Sequence, residues 1–144
     1  MIIPDVNLLL SAYDKSSLRH EKAHAWWEAS LSGVEPVGLS WLVIVGFVRL
    51  ATSSKVFAAP LTTSVALGAV RSWFERPHVQ VLEPGPRHLE ILESLVQDFP
   101  ALGALATDAH LAALAIEYQA ELHSNDADFT RFSGLRWRNP LKAK

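Results

Sequence analysis

Met1-Ile2-Ile3-Pro4-Asp5-Val6-Asn7-Leu8-Leu9-Leu10-Ser11-Ala12-Tyr13 decides the fold. Met1 to Pro4 reads as a short buried strand. Val6 to Tyr13 reads as a helix carrying the apolar run Leu8-Leu9-Leu10. One acid, Asp5, stands between them. In open α/β sheets ligands bind beyond the carboxyl ends of the strands, which is where this junction places Asp5.

The same junction recurs late in the chain. Glu121 to Ser124 reads as a strand, followed by Asp126 and Asp128 in a turn and short helix that ends at Phe132. Between these points strands and helices alternate. Leu18 to Leu31 is predicted helical, with Ala23, Trp26, Trp27 and Leu31 at helical spacing and Gly33 just beyond. Val37 to Leu39 is a strand, and Ser40 can cap the helix from Trp41 to Ala51. That helix is apolar nearly all round and is expected to be buried. Thr63 to Phe74 and His88 to Asp98 are further helices, with a strand at Val79 to Leu82 between them. Phe99 to Thr107 reads as a loop and Asp108 to Tyr118 as a helix opened by Asp108. Leu135 to Arg138 is a last strand. This alternation predicts an α/β fold, a three-layer α/β/α arrangement with a central, mostly parallel sheet, as a single domain over residues 1–144.

The 144 residues include no cysteine, which excludes disulfides, zinc fingers and thiol catalysis and suits a reducing, cytoplasmic setting. No signal peptide is evident, and no apolar run approaches a membrane span. The net charge of −2 offers no overall basic field. Charge is nevertheless uneven. Arg131, Arg136, Arg138, Lys142 and Lys144 follow the late acids with no acid among them. An acidic site beside a basic rim suits a cation that meets a phosphate backbone; a solvated terminal segment has the same composition.

Asp5, Asp108 and Asp126, drawn to one sheet edge, would repel one another unless a cation neutralised them. Hard divalent ions take oxygen ligands, keep several waters and act on phosphates. The acids therefore point to metal-assisted chemistry on a phosphate, with Asp128 as an additional acid.

Four stretches stand together in order and spacing: Asp5-Val6-Asn7-Leu8-Leu9-Leu10, Phe47-Val48-Arg49-Leu50-Ala51-Thr52, Thr107-Asp108-Ala109-His110-Leu111-Ala112-Ala113-Leu114-Ala115, and Asn125-Asp126-Ala127-Asp128-Phe129 with Phe132. On these the chain resembles the PIN-domain ribonucleases, and more narrowly the VapC-type toxins of bacterial toxin–antitoxin pairs. The segment from His20 through Trp26-Trp27 is similar to the mycobacterial branch. The resemblance implies a PIN-like fold, an endoribonuclease needing Mg2+ or Mn2+, restraint by a cognate VapB-like antitoxin, and a homodimer. It implies that Asp5, Asp108 and Asp126 hold the ion, that Asp128 assists, and that Asn7 lies beside the site. The ion is expected to activate water for in-line attack on phosphorus. One position departs from the pattern. Many members carry a glutamate where this chain has Gly46.

Each residue also has a plainer reading. Asp5 can cap a helix, Asp108 can sit at a favourable helix start, and Asp126 and Asp128 can form turns. Asn7 can merely solvate a helix start. His24 and His110 are expected to be structural, and Arg49 to pair with a carboxylate. Trp26 and Trp27 are expected to pack in the core or against a partner, with base stacking as the alternative. Arg131, Arg136 and Arg138 are candidates for RNA phosphate. Two rival functions remain beside a receiver-like regulatory domain, which would want adjacent acids and a lysine after a late strand, neither of them evident. One is a weakened nuclease domain that only binds RNA or antitoxin. The other is a phosphatase using Asp5 as nucleophile, although Asp5-Val6-Asn7 lacks the second aspartate expected there.

Overall fold

Alternating short apolar strands and longer helices fold as their spacing predicts. The computed structural model describes residues 1–142, so Lys144 of the basic tail lies outside the described residues. In chain order the elements are β1 (Ile2–Pro4), α1 (Val6–Tyr13), α2 (His20–Ser32), β2 (Val37–Leu39), α3 (Trp41–Ala51), α4 (Thr63–Phe74), β3 (Val79–Val81), α5 (His88–Val96), α6 (Leu105–Glu117), β4 (Glu121–His123), a 3-10 turn (Ala127–Arg131) and β5 (Trp137–Arg138). The five strands form one sheet in the order β3-β2-β1-β4-β5, and every pairing is parallel. From β1 the chain builds outward through β2 and β3. It then returns to the other side of β1 as β4 and β5. The order reverses between β1 and β4, the kind of switch point at which such sheets bind ligands.

β1 and β2 are apolar on both faces because helices cover both. Ile3, Val37, Leu39 and Leu122 are fully buried. Gly38 in β2 lets Leu82 pack close: a Cβ there would lie 2.3 Å from a Leu82 methyl. Beneath α1 to α4 an aromatic cluster gathers Tyr13, Trp27, Phe47 and Trp73, with the Trp73 ring 5.0 Å from Phe47 and 5.5 Å from Trp27. The Trp73 indole N–H donates to the Tyr13 hydroxyl at 2.7 Å, so its one polar atom is satisfied inside the core.

Three expectations are corrected. Helix α6 starts at Leu105, three residues before Asp108, because Ala104 and Ala106 favour helix and let its first turn form within the expected loop. Asp108 therefore lies in the first turn and does not cap the helix. Helix α3 is not wholly buried. Val43, Ile44 and Phe47 face the core, but Trp41, Leu42 and Val45 stand on the surface. Apolar character alone cannot tell a core face from a face left for a partner. The last strand is shorter than expected, pairing only Trp137 and Arg138 with β4.

Candidate active site

Asp5 follows β1, and its backbone N–H donates to the His123 carbonyl of β4 at 2.8 Å. This bond ties the two central strands together at their carboxyl ends. The Asp5 carboxylate then has two partners. Oδ1 accepts the Val6 N–H at 2.7 Å, capping α1, and Oδ2 accepts the Ser124 hydroxyl at 2.7 Å. The capping role and a place in the site coexist in one side chain.

Ser124 is the organising residue that sequence reasoning missed. It is fully buried at the end of β4. Its single proton goes to Asp5. Its oxygen accepts the Asn7 amide at 3.1 Å and the Asp126 backbone N–H at 3.1 Å. One donor and two lone pairs are thereby all used. Asn7 must turn its NH2 to Ser124, which leaves Asn7 Oδ1 buried without a hydrogen-bond partner. The available signal was a small polar residue two places before an aspartate at a strand end.

Asp126 caps the 3-10 turn, its Oδ1 accepting the Asp128 N–H at 2.9 Å. Asp126 is half-buried and Asp128 exposed. Asp108 comes from the first turn of α6, whose amino end meets the same sheet edge. A cleft of about 160 Å³ runs between α1, α3 and α6, lined by Asp5, Gly46, Arg49, Thr107 and Asp108 with apolar neighbours. Gly46 thus occupies the wall of the site. A Cβ there would meet only a Val6 methyl at 3.6 Å, so the position has room for a side chain. Arg49 is exposed on the same wall, and among the described residues it forms no ion pair.

Asp108 and Asp5 register the acids around them. Burial is the main cause that raises the Asp108 carboxyl from 3.8 to about 6, and Asp5, Asp126 and Asp128 add to it in that order. Burial also raises Asp5, against the Ser124 and Val6 hydrogen bonds, and Asp126 adds a further push. These carboxylates resist carrying charge together in the absence of a cation. Among the described residues no three histidine, aspartate or glutamate side chains already close on one point.

A pH dependence follows. A carboxyl raised in the fold retains a proton that the unfolded chain has released. The Asp108 contribution to stability is therefore present below about 4 and is lost as pH rises to about 6. His110 and His123 are held below their usual values mainly by burial and pull the opposite way. Thermal melts in chelator should therefore show Asp108→Asn gaining stability over wild type as pH rises through this window, and Mg2+ raising the wild-type melting temperature most at neutral pH. Parallel curves for the two proteins would refute the electrostatic cluster.

Other expected site residues lie elsewhere. The Arg136 guanidinium donates to the Gln119 carbonyl at the amino end of β4, the end of the sheet opposite the acids. Arg131 lies over the Phe99 ring at 4.9 Å. Trp26 donates its N–H to His123 Nδ1 at 3.1 Å, and Trp27 is fully buried. His110 pairs with His88 at 3.0 Å.

The PIN domain family model matches residues 2–135. Ribonuclease VapC33 of Mycobacterium tuberculosis is 47% identical over 142 residues, covering 99% of each chain. Ribonuclease VapC37 of Mycobacterium tuberculosis is 39% identical over 140 residues, 97% of each chain. Among solved structures, VapBC2 from Rickettsia felis bound to a promoter DNA fragment superposes with a TM-score of 0.68 at 16% identity, over 96% of this chain and 98% of that one. That identity speaks to fold alone.

Proposed function

Since the chain belongs to the PIN-domain family, we propose that it is the toxin of a toxin–antitoxin pair, an endoribonuclease that uses Mg2+ or Mn2+ to hydrolyse RNA phosphodiester bonds. The observation that carries this reading is the placing of Asp5, Asp108 and Asp126 about one sheet edge, where burial first and the neighbouring acids second hold Asp108 at about 6. Full-length relatives named as ribonucleases add to it and disfavour the binding-only alternative.

Asp5, Asp108 and Asp126 would hold the ion, and exposed Asp128 would assist. When bound, such an ion supplies Lewis acidity toward phosphate and activates water. The protein does the positioning. Ser124 holds the Asp5 carboxylate and the Asp126 backbone at fixed separation and anchors the Asn7 amide beside them. Arg49, exposed on the cleft wall, would meet a phosphate there. Arg131 remains a substrate-binding candidate through the outer rim. Arg136 is engaged with Gln119 and has no role in this reading.

A VapB-like antitoxin, or a second copy of the chain in a homodimer, would find apolar side chains exposed on α3 at Trp41, Leu42 and Val45. Among the described residues no helix is long and apolar enough to cross a membrane. A cytoplasmic site of action agrees with that and with the lack of cysteine.

Sequencing the 5′ ends of RNA incubated with the pure protein and Mg2+, beside an Asp5→Asn control, tests the activity. Discrete ends that vanish with chelator or in the control are expected; identical ends from both proteins would dismiss it. Gly46 allows a second test. Gly46→Glu adds a carboxylate to a wall with room for it and should tighten Mn2+ binding by roughly tenfold, since affinity for hard cations follows ligand charge. Calorimetry reads this directly, and an unchanged affinity would show that position 46 does not reach the ion.

A further inference from the structure

His20-Glu21-Lys22-Ala23-His24 opens α2 and takes no part in the carboxylate site. Residues four apart share a helix face, and two histidines so spaced can grip one metal ion. The two rings are 5.6 Å apart between centroids. Two imidazoles bonded to one ion at usual lengths stand about 5 Å apart, close to this separation, and exposed His24 has room to turn.

The first ring is already set for this. His20 Nδ1 lies 3.0 Å from the Ser11 carbonyl, which can only accept, so Nδ1 carries the proton and Nε2 keeps its lone pair. Ser11 belongs to the last turn of α1, whose carbonyls lack helical partners. One hydrogen bond therefore caps α1 and fixes the tautomer, the outer support that metal-binding histidines usually have. A third donor stands next on the same face: Glu28 Oε1 is 3.9 Å from His24 Nε2. The His24 and Glu28 side chains are 56% and 58% exposed and can reorient. His20, His24 and Glu28 border a cleft of about 190 Å³ together with Tyr13, Lys15 and Trp27. Lys15 is exposed and can direct its ammonium into solvent.

We propose that His20 and His24, with water completing the shell and Glu28 near enough to swing in, bind a nitrogen-seeking dication such as Zn2+, Ni2+ or Cu2+, independently of the carboxylate cluster. Imidazole suits these ions, whereas Mg2+ and Mn2+ prefer oxygen. Occupancy pins the amino end of α2 against the carboxyl end of α1, the helix that begins at Asp5.

The test uses untagged full-length protein carrying Asp5→Asn and Asp108→Asn, titrated with Zn2+ by calorimetry and with Cu2+ by electron paramagnetic resonance. One equivalent should bind, with coupling to two imidazole nitrogens. Adding His24→Ala, an exposed position, should weaken binding by about tenfold or more and leave coupling to fewer nitrogens. If the double variant does not fold, wild type and His24→Ala are compared with excess Mg2+ present. Loss of all binding with the carboxylates, or an affinity that His24→Ala leaves unchanged, would overturn the proposal; in the second case the ion sits elsewhere, for instance on His88 and His110.

Discussion

Asp5→Asn is expected to lower RNA cleavage by roughly a thousandfold, equivalent to about 4 kcal/mol of transition-state stabilisation, while the fold persists. Asp5 is the one acid that meets every structural condition for the role. It is buried at the switch point, it adjoins Asp126 electrostatically, and it lines the cleft with Asp108. Asparagine keeps the shape and still caps α1 through Val6, because Asn and Asp are equally good N-caps. It cannot also accept from Ser124 with the same oxygen, so one hydrogen bond is weakened. Against that cost, a buried charge disfavoured by its surroundings disappears. The net stability change is therefore small, about 1 kcal/mol or less in either direction. Single-turnover cleavage, Mn2+ calorimetry and thermal melting separate the effects. Wild-type cleavage by a folded Asp5→Asn protein would remove the centre of the proposed mechanism.

Ser124→Ala is expected to cost about 1–3 kcal/mol of stability, because three groups around a fully buried position lose their partner together. Cleavage should fall by roughly tenfold to a hundredfold, the scale seen when the outer supports of a metal site are removed. A purely structural loss would scale activity without altering its pH profile. Ser124 donates to the ionised form of Asp5 and so lowers its pKa. Without that bond Asp5 holds its proton to higher pH, and the acidic limb of the cleavage profile should move upward. A profile that keeps its position while the melting temperature drops would reduce Ser124 to a packing residue.

Strand–acid–helix junctions at Asp5 and Asp126 were legible because each is local. A short apolar strand, a capping aspartate and a helical repeat lie within a dozen residues. The bounds of α1, α3 and α4 were legible for the same reason. Ser40 and Thr62 cap α3 and α4 with side-chain oxygens, as their residue types suggest. Asp108 was legible as an acid near a helix start, but not as the fourth residue of that helix, because alanines on either side of a glycine carry no sharp start signal.

What stayed hidden depended on residues remote in sequence. Ser124 contacts Asp5 across 119 positions, and nothing in the Ser124 neighbourhood announces that its hydroxyl proton will be spent there. Arg136 looked free beside a basic tail, and only the register of β5 on β4 carries it to the far end of the sheet. The exposed face of α3 looked like core, since hydropathy does not record what lies opposite.

From residue order alone came an alternating parallel α/β chain with acids poised at strand ends, because periodicity and capping are short-range properties carried by neighbours. Which acids share one field, which serine holds them and which apolar face is left open were decided by packing. Charge repulsion, hydrogen-bond saturation and burial act through space, and space is assigned only when the chain closes on itself.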